Sequence, residues 1–102
     1  MRKGVLEYCI LSVLAGGDAY ASDIIGQLKE VQLIVVEGTL YPLLTRLKND
    51  GMLTYRWEES NQGPPRKYYR LTDEGKTSLI ELHKAWQELV ENVKKMSNKF
   101  NK

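Results

Sequence analysis

Leu6, Cys9, Ile10, Val13 and Leu14 recur at helical spacing, and Gly16-Gly17 ends that run. Asp18 then reads as the N-cap of a second helix whose buried face is Ala21, Ile24, Ile25 and Leu28. Val31–Val36 is a short β-branched apolar run, better suited to a connector or a small strand than to a helix. Leu40, Leu43, Leu44 and Leu47 form the apolar stripe of a third helix. Proline has no N–H for the carbonyl four residues back, so Pro42 must sit near a helix start, which places that start near Glu37 or Gly38. Asn49-Asp50-Gly51 supplies the stop.

The period then changes from helical to alternating. Leu53, Tyr55 and Trp57 alternate with polar neighbours, as do Tyr69 and Leu71, which predicts a hairpin of Leu53–Glu58 with Arg66–Thr72. Its tip, Glu59–Pro65, is too long for a two-residue turn. Thr72 is a predicted N-cap, and Asp73 and Glu74 complement the dipole of the helix it opens. Along that helix Leu79, Leu82, Trp86, Leu89, Val93, Met96 and Phe100 make an unbroken heptad seam. No other helix of so small a domain is long enough to cover it. The natural cover is the same helix of a second copy, joined by the first helix, in a two-fold dimer. The predicted fold is therefore mainly α with a small β-hairpin (α+β). It has a winged helix-turn-helix order over residues 1–72, with a recognition helix at about 38–50 and a wing at about 53–71. A long C-terminal dimerisation helix follows over 73–102.

The outer face of the third helix carries Gly38, Pro42, Thr45 and Asn49, flanked by Thr39, Tyr41, Arg46 and Lys48. A solvated helix would hold more Glu and Lys there; a face this bare suits insertion into a groove. Net charge is only +2, but its distribution is uneven. Residues 1–37 hold three Lys/Arg against five Asp/Glu, residues 38–72 six against three, and residues 73–102 six against five. The positive excess thus lies beside the third helix. The one cysteine, Cys9, excludes a disulfide framework, and no apolar run approaches a membrane span, so a cytoplasmic location is expected. One His and one Cys, with no Gly-rich phosphate loop, no metal-spaced cluster and no nucleophile–base arrangement, argue against an enzyme, a cofactor or a metal site.

Two motifs, GTLYPLLTRLKNDGML at Gly38–Leu53 and RKYYRLTDEG at Arg66–Gly75, together with a long final helix carrying Trp86, resemble the PadR family of bacterial transcription regulators, in its short form. Ala21 departs from the family by standing where a glycine after the tyrosine is common. The resemblance implies a dimeric winged-helix repressor of an inverted-repeat operator in double-stranded DNA, often released by a small molecule. It places Thr39, Tyr41, Pro42 and Thr45 on the DNA face and Arg66 and Lys67 at the wing.

Each candidate has a plainer role beside the functional one. Lys48 and Arg46 suit phosphates, although Arg46 can pair with Asp50 instead. Arg66 and Lys67 also protect a strand edge, and Arg56 and Arg70 are expected to be merely solvated. Leu79, Leu82, Trp86, Leu89, Val93 and Met96 are read as dimer interface. Trp86 fits a dimer core, or with its symmetry mate a slot for a small planar aromatic effector, with no polar anchor in view. His83 is expected at the surface and Cys9 in the core. The alternative function is a winged-helix module that binds protein without sequence-specific DNA binding.

Overall fold

The computed structural model describes residues 2–100. Seven elements follow one another: α1 (Arg2–Ala15), β1 (Ala19–Tyr20), α2 (Ala21–Glu30), α3 (Glu37–Asn49), β2 (Leu53–Ser60), β3 (Gly63–Leu71) and α4 (Asp73–Phe100). The α+β winged-helix architecture is as the sequence predicts. Met1 and the expected helix's last residues, Asn101 and Lys102, lie outside the described residues.

The core forms where the apolar stripes meet. Ile10, Leu11 and Leu14 of α1 pack with Ile24 and Leu28 of α2 and with Leu40, Leu43, Leu44 and Leu47 of α3; Leu53, Tyr69 and Leu71 close it from the hairpin. Burying each such aliphatic side chain is worth roughly 1.5–3 kcal/mol, which fixes the rotation of α3 and leaves its opposite face to solvent.

Two local expectations fail, for related reasons. Asp18 does not cap α2. After Asp18 the chain stays extended for two more residues and adds a third strand, β1, to the hairpin; Ala19 pairs with Tyr69 and Tyr20 with Tyr68, in the order β1-β3-β2. The cap shifts to Tyr20, whose N–H donates to Asp23 Oδ2 at 3.0 Å, and Asp18 turns to Arg56 instead. The run Val31–Val36 is a connector, one of the two forms expected for it. The wing tip is also tighter than predicted, with only Asn61 and Gln62 between the strands. Pairing passes from Glu58–Arg66 to Ser60–Gly63, so Pro64 and Pro65 together oppose Glu59 in a bulge. Both prolines are tolerated because β1 reaches only Tyr68 and Tyr69, leaving their outer edge without a ladder.

Thr72 caps α4 as predicted. Its Oγ1 accepts the Gly75 N–H at 2.9 Å and donates to the Gly51 carbonyl at 2.6 Å, while its own N–H donates to Met52 O at 3.2 Å. The start of α4 is thereby tied to the turn that ends α3. The seam on α4 divides along its length. Leu79 and Leu82 pack on the chain's own core, so the start of the seam, expected to be covered by a second copy's helix joined by the first helix, is covered from within. Trp86 is half-buried beside Tyr8 of α1. Beyond it Leu89, Val93, Met96 and Phe100 are 41, 54, 58 and 87% exposed. The reason is length: α4 has 28 residues to the 14 of α1, so α1 covers only its first half.

Candidate nucleic-acid interface

Every outward residue of α3 is exposed from Glu37 to Asn49, including Thr39, Tyr41, Pro42, Thr45, Arg46 and Lys48. Pro42 sits inside the helix rather than in its first turn. The ring is accommodated because the residue four back is Gly38, which has no side chain and whose outward carbonyl loses only its helical donor. The missing hydrogen bond therefore falls on the exposed face, where an external donor can reach it.

The wing closes one side of this face. Tyr41 and Glu37 of α3, Tyr20 and Ser22 at the start of α2, and Trp57, Pro65, Arg66 and Lys67 of the hairpin line a groove of about 350 Å³. Arg66 and Lys67 alternate across β3 and are held by different partners. The Arg66 guanidinium lies 4.0 Å above the Tyr20 ring, and Nη2 donates to Ser22 Oγ at 2.6 Å. Lys67 Nζ is 4.5 Å from the Tyr55 centroid and 5.5 Å from that of Trp57. Lys48 reaches the same Tyr55 ring from α3, at 5.6 Å. Stacked on aromatic faces, these cations lose little entropy when an anion arrives.

One arginine departs from expectation, and for another the alternative partner is not the one realised. Arg56 is not merely solvated: Glu58 at 2.6 Å and Asp18 at 3.3 Å neutralise it, and its guanidinium stacks 4.6 Å from the Tyr68 centroid. Arg46 does not pair with Asp50. It leans away from the wing toward α1, with Nη2 3.4 Å from Glu7 Oε1, a contact too poorly formed for a hydrogen bond. Arg46 is therefore loosely tethered rather than committed, whereas Arg56 is spent within the domain.

Tyr20 and Ser22 had no functional role in the sequence reading. Their part depends on β1, two residues too short to show a period. A second feature invisible in sequence lies at Trp86. Tyr8 stacks at 6.2 Å from both His83 and Trp86, and its OH is 2.6 Å from His83 Nδ1. Tyr8, His83, Trp86, Gln87, Val90 and Glu91 line an open hollow of about 670 Å³. His83 is exposed but hydrogen-bonded, and the pair sets polar atoms beside the tryptophan. Cys9 packs against the core, half-buried, and burial pushes its thiol above the ordinary pKa, away from a nucleophilic role. Among the described residues there is no metal-ligand cluster and no helix long and apolar enough to cross a membrane.

Known proteins share this fold. The profile of the transcriptional regulator PadR-like family matches residues 10–81. A PadR-like transcription factor from Bacteroides fragilis superposes with a TM-score of 0.86 at 64% identity, over 94% of this chain and 93% of that one. A PadR-like transcriptional regulator from Bacillus cereus gives 0.82 at 34% identity, over 94% of each chain. The negative transcriptional regulator PadR of Bacillus subtilis is 32% identical over 93 residues, which are 88% of this chain and 51% of that protein.

Proposed function

The chain belongs to the PadR-like family of transcriptional regulators, and from that premise we propose that it is a cytoplasmic, dimeric repressor that reads an inverted-repeat operator in double-stranded DNA. The observation that carries the reading is the groove that Tyr41, at the edge of the bare face of α3, shares with the two wing cations Arg66 and Lys67. In this reading the N-terminal half of α3 enters the major groove, with Tyr41 and Thr45 nearest the bases and Thr39, Pro42 and Gly38 giving clearance. Arg66, Lys67 and Lys48 meet phosphates on either side. Two such helices must lie about one turn of duplex apart, roughly 34 Å, and the exposed second half of α4 is the surface available to set that spacing. The negative regulation attributed to the Bacillus subtilis relative supports repression over activation.

Gel shifts over a range of salt test this. Tyr41→Ala is expected to cost about 1–3 kcal/mol on the operator and less on random DNA; equal losses would demote Tyr41 to a phosphate contact. Arg66→Ala is expected to make the salt dependence shallower, by about one counterion per half-site. An unchanged slope would remove the wing from the interface. Binding that does not weaken at all as salt rises would favour the protein-interaction module.

The hollow at Trp86 favours a second element of the reading, release by a planar aromatic effector. Trp86 offers the stacking face, and the Tyr8–His83 pair a hydrogen-bonding edge. An effector seated there changes the angle between protomers and weakens operator binding by linkage. Trp86→Ala is expected to abolish release by such a compound while DNA binding persists. Normal derepression by a folded Trp86→Ala protein would place the effector elsewhere.

A further inference from the structure

The outer face of α3 carries the two residues a helix favours least, Gly38 and Pro42, four apart and both exposed. Packing calls for neither. A methyl group at Gly38 would meet nothing within 4 Å, and the positive φ values belong to Gly17 and Gly51. Pro42 in turn marks neither end of α3, which continues past it to Asn49.

What the two residues share is one atom. Proline has no N–H for the carbonyl four residues back, so the Gly38 oxygen lacks its ordinary helical donor, and glycine sets no Cβ beside it. A carbonyl crowded by a proline ring tilts off the helix axis toward solvent. The first turn of α3 thus offers a bare acceptor on the face left free by the core.

We propose that the Gly38 carbonyl reads the operator, accepting a hydrogen bond from the exocyclic amino group of one base in each half-site. The proposal rests on the DNA-binding reading above and gives Gly38 a part beyond clearance. Its chemistry selects the base. On the major-groove edge adenine and cytosine offer amino donors, whereas guanine O6 and thymine O4 are acceptors. The hydroxyls of Thr39, Tyr41 and Thr45 donate or accept and so adapt to either kind of edge; a carbonyl only accepts. Phosphate oxygens only accept as well, so the DNA backbone cannot satisfy it. Water does so in the free protein. Once α3 fills the groove and water leaves, a keto base would set acceptor against acceptor, and an unpaired buried acceptor is costly.

The test uses the full chain and the duplex it binds most tightly in a selection from random-sequence DNA. In one half-site each adenine is replaced in turn by purine deoxyriboside, and each cytosine by pyrimidinone deoxyriboside, which lack only the amino group. At one position the unaltered protein is expected to lose affinity about fivefold. Pro42→Ala, whose new N–H occupies the carbonyl, is expected to bind more weakly at the outset and to lose nothing further there. Comparing the two proteins on each duplex cancels the weaker pairing of the analogues. A loss at an adenine names its N6 amino group, and a loss at a cytosine its N4 amino group. If no position distinguishes the two proteins, the carbonyl reads nothing and the proposal falls while DNA binding stands. A selection that yields no preferred duplex would overturn the DNA reading along with it.

Two further measurements separate reading from folding. Pro42→Ala is expected to melt roughly 5–10 °C higher at fixed protein concentration. A lower midpoint would show that the fold itself needs the proline, and would remove the ground for the proposal. Gly38→Ala is expected to melt no lower than the unaltered protein yet to bind the selected duplex several-fold more weakly, because a methyl group holds the base edge off the oxygen. Unchanged binding by Gly38→Ala would mean that no base approaches this carbonyl.

Discussion

Gly75→Ala is expected to destabilise the protein by about 3 kcal/mol, the upper end of the usual penalty for overpacking. A methyl group there would stand 1.9 Å from the Met52 carbonyl oxygen and 2.7 Å from Leu71 Cδ1. The oxygen has nowhere to go: Met52 O accepts the Thr72 N–H at 3.2 Å, and Met52 N–H donates to Leu47 O at 2.9 Å. Gly75 is buried, with its own N–H on the Thr72 cap. Alanine's advantage over glycine in a helix, about 1 kcal/mol, cannot offset a backbone clash of that depth. At fixed protein concentration the midpoint is expected to fall by roughly 12–24 °C. Gly26→Ala is the control, since that glycine lies on an exposed face of α2 with nothing within 4 Å, and it is expected to raise stability slightly. If Gly75→Ala melts as Gly26→Ala does, the close approach of α4 to the end of α3 is wrong. Because that approach joins the reading helix to the long helix, operator binding is expected to fall with stability.

The same junction shows what a sequence discloses. Leu40, Leu43, Leu44 and Leu47 announce α3 because a buried helical face must repeat at 3.6 residues, and their burial in turn dictates which face is left for a ligand. Thr72 was legible as a cap because its chemistry is local. Gly75 was not, since its reason is Met52, distant in sequence. Asp18 was misread because Ala19–Tyr20 owe their extended form to Tyr68 and Tyr69, and two residues carry no period. The cations of the wing were visible, but not their fates. Whether an arginine is held by neutral groups, as Arg66 is, or paired with carboxylates, as Arg56 is, depends on Tyr20, Ser22, Glu58 and Asp18 arriving beside it. On α4 the heptad revealed which face is apolar. It could not reveal that α1 covers Leu79 and Leu82 and stops short of Leu89, because periodicity describes a face and not its neighbour.

That boundary makes Leu89 the place to separate folding from assembly. Leu89→Asp is expected to leave the monomer folded, since the side chain is 41% exposed and absent from the core, while abolishing the dimer. In a two-fold seam the change appears twice, setting two carboxylates into an apolar contact where neither has a partner and each repels the other. Sedimentation at micromolar concentration is expected to show monomers with an unchanged helical signal. Operator affinity is expected to fall on the order of 10²-fold or more, because the second half-site no longer binds as an intramolecular event. Affinity for an isolated half-site should stay the same, since α3 and the wing are untouched. Asn92→Asp, which adds the same charge off the seam, is expected to change neither assembly nor operator binding. A Leu89→Asp protein that remains dimeric at full operator affinity would mean that α4 does not set the distance between the reading helices. Parallel losses on operator and half-site would instead trace the damage to the fold, through the Thr72–Gly75 junction that links α4 to α3.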